Sequence, residues 1–191
     1  MKYQFQTYKH KGNKTWQIKI QKPCEKRIGT FTLKSKQVVD CNLGPKGDGN
    51  VFTVTLSSDE DIEKLCDDAM RHAYKDRRIF QEIKRTSEHE FIKNAYHSVL
   101  HNGIYLKRKL REFNGKTNRP SFYQAGEKVP EISITKGSVI NVHVQFKTYC
   151  FKGDDGYIYG IRGELQKEIE VITLKEQISN KPPLPYIPFE I

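Results

Sequence analysis

From Ile140 to Lys147, apolar and polar side chains alternate without a break. Ile140, Val142, Val144 and Phe146 fall on one side. Asn141, His143, Gln145 and Lys147 fall on the other, with Tyr149 continuing that row. A period of two is the mark of a strand with one buried and one solvent-facing side. Lys152-Gly153-Asp154-Asp155-Gly156 has the chemistry of a hairpin turn. Tyr157-Ile158-Tyr159-Gly160-Ile161-Arg162-Gly163 returns, and Ile169-Glu170-Val171-Ile172 closes the region. A ribbon this long commits the chain to a mainly β fold.

A second alternating run precedes it. Residues 104–113 read as one strand presenting Tyr105, Lys107, Lys109, Arg111 and Phe113 on one face. Ile104, Leu106 and Leu110 back it, with Arg108 and Glu112 as exceptions. Cations bracketed by rings, on a strand backed by a core, suit a surface that grips phosphates and stacks bases. Edge strands also carry Lys to discourage aggregation, so a plain solvated strand is the competing expectation.

Residues 1–56 also read as β, with alternating runs at Tyr3-Phe5-Thr7, Trp16-Ile18-Ile20, residues 28–33, Gln37-Val38-Val39 and residues 51–56. In the last run Phe52, Val54 and Leu56 share a side opposite Val51, Thr53 and Thr55. Residues 44–50 are predicted to form a flexible loop. Trp16 is expected in the core, with a lesser role as a base platform.

The period then changes. Ser57 and Ser58 are expected to cap a helix whose first turn holds Asp59, Glu60 and Asp61, where acids meet the positive dipole end. Ile62, Leu65, Cys66, Ala69, Ala73, Phe80 and Ile83 follow at mostly helical spacing. A second helix is predicted over residues 87–101, stopped by Asn102-Gly103 in the manner of a left-handed cap. Residues 114–120 are predicted as a loop. Residues 180–191 are proline-rich and should stay extended.

The chain has 191 residues, with 33 Lys and Arg against 23 Asp and Glu, a net charge of +10. Such a balance favours an acidic partner, nucleic acid or an anionic membrane surface. No apolar stretch reaches the length of a membrane span, and the N-terminus lacks a signal-peptide pattern, so an intracellular location without membrane attachment is expected. The sequon Asn13-Lys14-Thr15 would need a secretory route. Cys24, Cys41, Cys66 and Cys150 are scattered, which predicts free thiols. His97 and His101 have i,i+4 spacing, but no third ligand is evident and no metal or cofactor is expected. The Gly44–Gly49 segment lacks the Gly-Lys-Ser/Thr of a phosphate loop, and no nucleophile–base arrangement can be nominated, so an enzyme is not expected.

These pieces describe a small, strongly bent β-barrel with a helical insert and a basic, aromatic outer face. The stretch 103–172 resembles the oligonucleotide/oligosaccharide-binding (OB) fold single-stranded-DNA-binding proteins of large DNA viruses and phages, the baculovirus DNA-binding-protein type among them. The matching pattern is Leu106-Lys107-Arg108-Lys109-Leu110, then Arg119-Pro120-x-Phe122-Tyr123 and Gly126-Glu127-Lys128-Val129. Lys136-Gly137-Ser138-Val139-Ile140, the aromatic strand 146–151, Gly156-Tyr157-Ile158-Tyr159-Gly160-Ile161 and Ile169-Glu170-Val171-Ile172 complete it.

The resemblance implies an α+β chain: one OB-like domain over residues 1–178 with a helical insert at about 58–101, and a proline-rich tail at 179–191. It also implies sequence-independent coating of exposed strands in replication and recombination, at the host nucleus or a cytoplasmic viral replication site. The residues expected to carry binding are Tyr105, Lys107, Lys109, Arg111, Phe113, Arg119, Lys147 and Tyr149. The expected partner is single-stranded DNA, with RNA as the alternative ligand and a structural role in a virion or replication complex as the rival reading. The tail lacks the acidic run many replicative binders use to recruit partners. It is expected to serve self-association or docking to a replication protein.

Overall fold

The computed structural model describes residues 3–9, 16–21, 30–46, 49–110, 112–113, 116–130 and 134–175. The sequon at 13–15, Cys24, Arg111 and the tail at 179–191 lie outside the described residues.

In chain order the elements are β1 (Gln4–Lys9), β2 (Trp16–Gln21), β3 (Thr30–Lys46), β4 (Gly49–Leu56), α1 (Glu60–Lys75), α2 (Glu88–Lys93) and a 3₁₀ turn at Ser98–Leu100. Then come β5 (Ile104–Lys109), β6 (Glu112–Phe113), β7 (Lys116–Thr117), β8 (Ser121–Gln124), β9 (Glu127–Val129), β10 (Val139–Gly153) and β11 (Gly156–Thr173).

Hydrogen bonding closes five of these strands into a ring. β3 pairs with β4, β4 with β5, β5 with β11, β11 with β10, and β10 again with β3. All the pairings are antiparallel except β5–β11, which is parallel through Gly163↔Leu106 and Glu164↔Lys107. A five-stranded barrel with this closure is OB-like, as the sequence led us to expect. β8 and β9 extend from β11, and β1 with β2 makes a separate hairpin.

The long strands bend because they carry bulges. Register shifts fall between Val38 and Asp40 in β3, and between Val142 and Val144 in β10. An extra residue on one strand raises the local twist, which lets a small sheet curl shut. Inside, Ile140, Val142, Val144 and Phe146 are buried, as their alternation predicts. They meet Ile161, Leu165, Ile169 and Val171 from β11 and Phe31 from β3. Full burial of each such side chain stabilises by roughly 1.5–3 kcal/mol.

Four sequence expectations need correction. Residues 44–46 and 49–50 are paired β-hairpin, not loop, because β3 and β4 continue to Lys46↔Gly49. Asp59, and not a serine, caps α1: its carboxylate accepts from the Asp61 amide at 2.9 Å and pairs with Lys36. The helix stops at Lys75, with Phe80 in a left-handed conformation at φ +55°. The predicted helix 87–101 covers only Glu88–Lys93, after which the chain runs against β11. There the Tyr96 amide donates to the Tyr159 carbonyl at 2.7 Å. Its predicted stop signal is present all the same, since Asn102 and Gly103 both have positive φ.

The insert is pinned to the barrel by rings. Tyr159 stacks on Phe91 at 4.9 Å, packs on Phe80 at 5.5 Å, and donates its hydroxyl to the Phe91 carbonyl at 2.8 Å. Gly160 follows. A Cβ there would lie 1.8 Å from the Tyr96 carbonyl oxygen, so only glycine lets residues 94–98 come this close.

Candidate nucleic-acid interface

The outer wall of β5, β11 and β10 carries one connected surface. On β5, Ile104 and Leu106 are buried while Tyr105, Lys107 and Lys109 alternate outward. Lys107 is level with Glu164 of β11. Glu164 is opposite Gln145 of β10, Arg162 opposite Lys147, and Gly160 opposite Tyr149.

Two cavities open on this wall. The first is a groove of about 410 Å³ lined by Lys107, Arg108, Lys109, Asn118, Gln145, Arg162, Glu164, Leu165 and Gln166. The second, of about 750 Å³, is lined by Asn94, Tyr96, Ser98, Lys107, Tyr149, Cys150, Phe151, Tyr157, Ile158 and Arg162. Lys107 and Arg162 line both, so the cationic groove runs into the aromatic pocket. A smaller cavity of about 180 Å³ among Trp16, Arg78, Phe80 and Thr148 shares Tyr149, Cys150 and Arg162 with that pocket.

The rings of the pocket are available. Phe151 is 53% exposed, Tyr96 51%, Tyr157 42% and Ile158 40%, values that set them apart from the buried Tyr159. Tyr149 stacks on Phe151 with centroids 6.0 Å apart and planes at 22°. Its hydroxyl donates to the Tyr96 carbonyl at 2.6 Å, fixing the ring. Burial pushes the Tyr149 hydroxyl up to about 12, so it remains a donor at neutral pH. Burial likewise pushes the neighbouring Cys150 thiol up to about 11, which keeps it a poor nucleophile.

The groove is more strongly wired. The Arg108 guanidinium donates to the Asn118 side chain at 2.6 Å, the Asn118 carbonyl at 3.3 Å and the Leu165 carbonyl at 3.2 Å. Arg108 lines the groove, and its hydrogen bonds tie residue 118 to β11. Lys147 is held by Glu164 at 2.5 Å, and Arg162 lies 3.3 Å from the other oxygen of the same carboxylate. The Arg162 Nε is buried and has no hydrogen-bond partner among the described residues.

The predicted residues therefore divide. Lys107, Lys109 and Tyr149 line the connected cavities. Lys147 adjoins them through Glu164. Tyr105 is on the outer face of β5 and Arg119 is exposed, but neither lines the groove or the pocket. The row from Tyr105 to Phe113 is not a single strand face, because β5 ends at Lys109 and a separate two-residue strand holds Phe113. Arg111 and the Phe113 side chain lie outside what is described.

Sequence reasoning missed Arg162, Glu164 and Tyr96. Arg162 and Glu164 join the site through strand pairing and Tyr96 through a bond from the insert to Tyr159, neither of which local periodicity carries. Trp16, expected in the core, is half-buried with the Arg78 guanidinium over its ring at 4.7 Å. His97 and His101 flank the 3₁₀ turn instead of sharing a helix face. Cys66 and Cys150 are free thiols, as predicted. Among the described residues, no helix is long and apolar enough to cross a membrane.

No family model and no curated protein matches this sequence. Solved structures do. The chain is similar to gp2.5, a single-stranded DNA binding protein encoded by bacteriophage T7, at 13% identity and a TM-score of 0.47, over 80% of this chain and 96% of that one. It is similar to the single-stranded DNA-binding protein from bacteriophage Enc34 at 13% identity and a TM-score of 0.46, over 80% and 86%. The same Enc34 protein in complex with ssDNA aligns at 13% identity and a TM-score of 0.44, over 78% and 89%.

Proposed function

We propose that this protein binds single-stranded DNA without sequence preference along the wall formed by β5, β11 and β10. Lys107, Lys109 and Arg162 would contact backbone phosphates, and Phe151, Tyr149, Tyr157 and Tyr96 would receive bases. The observation that carries the proposal is the junction at Lys107 and Arg162, where a cationic groove opens into a pocket of exposed rings. Phosphates and bases alternate along an unpaired strand, so a binder needs both surfaces within reach of each other. A duplex hides its base faces and could use only the groove. The likeness to the phage proteins, at 13% identity, adds no weight to this reading.

Stacking uses the π face that every base has, which is why little sequence preference is expected. Replication or recombination sites inside an infected cell are the proposed setting.

The test is titration of labelled single-stranded DNA, duplex DNA and RNA of equal length at several salt concentrations. Each phosphate contact on a single strand should contribute roughly −0.7 to the slope of log affinity against log salt. Tight, salt-steep binding to single strands and weaker binding to duplex is expected. A flat salt response, or equal affinity for duplex, would refute the proposal. Preference for the RNA strand would move the assignment to RNA.

A further inference from the structure

We infer that Glu164 is a built-in stand-in for a backbone phosphate, a residue that sets how tightly the strand is held. The inference rests on the single-strand reading above. Among the described residues, Glu164 is the sole acid lining the cationic groove. It occupies the middle of the wall, level with Lys107 on one side and Gln145 on the other.

Its two oxygens are divided between two cations. Lys147 Nζ is 2.5 Å from Oε2, and Arg162 Nη2 is 3.3 Å from Oε1. A phosphodiester offers two non-bridging oxygens to paired cations in the same way. The three side chains are between 29% and 38% exposed, so an incoming phosphate can reach the cations once the carboxylate swings aside.

The tether gives Glu164 a high effective concentration at Lys147 and Arg162. A single free phosphate has no such advantage. A strand does, because neighbouring phosphates at Lys107 and Lys109 hold it in place while the exchange occurs. The carboxylate therefore tempers affinity, favours polymers over isolated anions, and closes again on the cations when the strand leaves.

A second role for a groove carboxylate would be accepting hydrogen bonds from exocyclic amino groups of bases, as acids do with cytosine N4. In the free protein both oxygens already face cations, which favours the stand-in. The two roles predict opposite results.

The experiment compares wild type, Glu164→Gln and Glu164→Ala by anisotropy with labelled oligo-dT and oligo-dC between about 50 and 200 mM salt. Partly exposed ion pairs are weak, so both variants should bind both oligomers roughly two- to tenfold more tightly at the lower salt. Their salt slopes should be steeper by ~0.7, the worth of one further phosphate contact. Unchanged affinity, with wild type still binding steeply, would overturn the inference and leave the single-strand reading standing. Weaker binding to oligo-dC alone would also overturn it, in favour of base reading. Failure of wild type to bind single strands would remove the reading itself. If the variants unfold, the carboxyl ¹³C resonance of Glu164 in wild type decides. It should shift on adding oligo-dT, and an unmoved resonance would overturn the inference.

Discussion

Gly160→Ala is the substitution that asks most of this structure. A Cβ at residue 160 would meet the Tyr96 carbonyl oxygen at 1.8 Å, its carbon at 2.5 Å and its nitrogen at 3.1 Å. Non-bonded heavy atoms settle near 3.5 Å, so the backbone at Tyr96 must retreat by roughly 1.7 Å. That retreat breaks two hydrogen bonds, the Tyr96 amide to the Tyr159 carbonyl and the Tyr149 hydroxyl to the Tyr96 carbonyl. Each is worth about 0.5–1.5 kcal/mol net, giving a loss of roughly 1–3 kcal/mol. For a chain of this size that lowers the melting temperature by ~2–4 °C per kcal/mol. The same retreat moves one wall of the aromatic pocket and frees the Tyr149 ring. Strand affinity should fall by about the worth of one stacked base, roughly 1–3 kcal/mol, with little change in salt slope. Thermal unfolding and an oligo-dT titration on the same sample read both effects. A variant that melts and binds like wild type would refute the close approach of residues 94–98 to β11, and with it the pocket.

The other predictions separate the two halves of the site and probe its support. Lys107→Ala with Lys109→Ala should flatten the salt slope by ~1.4, two contacts' worth, whereas Phe151→Ala should cost about 1–3 kcal/mol and leave the slope alone. Similar slopes for both variants would deny the division of labour. Burial, opposed by Asp67, holds the His97 imidazole below its ordinary 6.5, and burial does the same for His72. In both cases the unfolded chain takes up protons more readily, so this part of the stability is full above pH 6.5 and is lost as the pH falls below it. The melting temperature should therefore drop as the pH falls below about 6.5, less so in His97→Gln, and a pH-independent melt would contradict the buried neutral ring.

What could be read from the sequence follows the range of the interactions involved. β10 was legible because its partners bury one face completely, leaving alternation from Ile140 to Phe146. α1 was legible because Ile62, Leu65, Cys66, Ala69, Met70 and Ala73 repeat at helical spacing behind an acidic first turn. The helix expected at 87–101 failed because Tyr96 trades helical bonding for the Tyr159 carbonyl, a partner 63 residues away. β3 crosses Gly44-Pro45, which looks like a break, yet pairing with β4 carries it through. The basic half of the site was visible at Lys107 and Lys109. The aromatic half was visible at Tyr149 alone: Tyr96 reaches it from the insert, and Arg162 and Glu164 join the site through pairings between β5, β11 and β10.

In the proposed complex one wall of the barrel holds both phosphates and bases. Ultraviolet cross-linking of oligo-dT to the wild-type protein, with the modified residues mapped by mass spectrometry, tests it most directly. Adducts are expected at Tyr149, Phe151, Tyr157 or Tyr96, with protection of Lys107 and Lys109 from acetylation in the same complex. Adducts concentrated instead at Tyr123, on the β8–β9 strands, would contradict it.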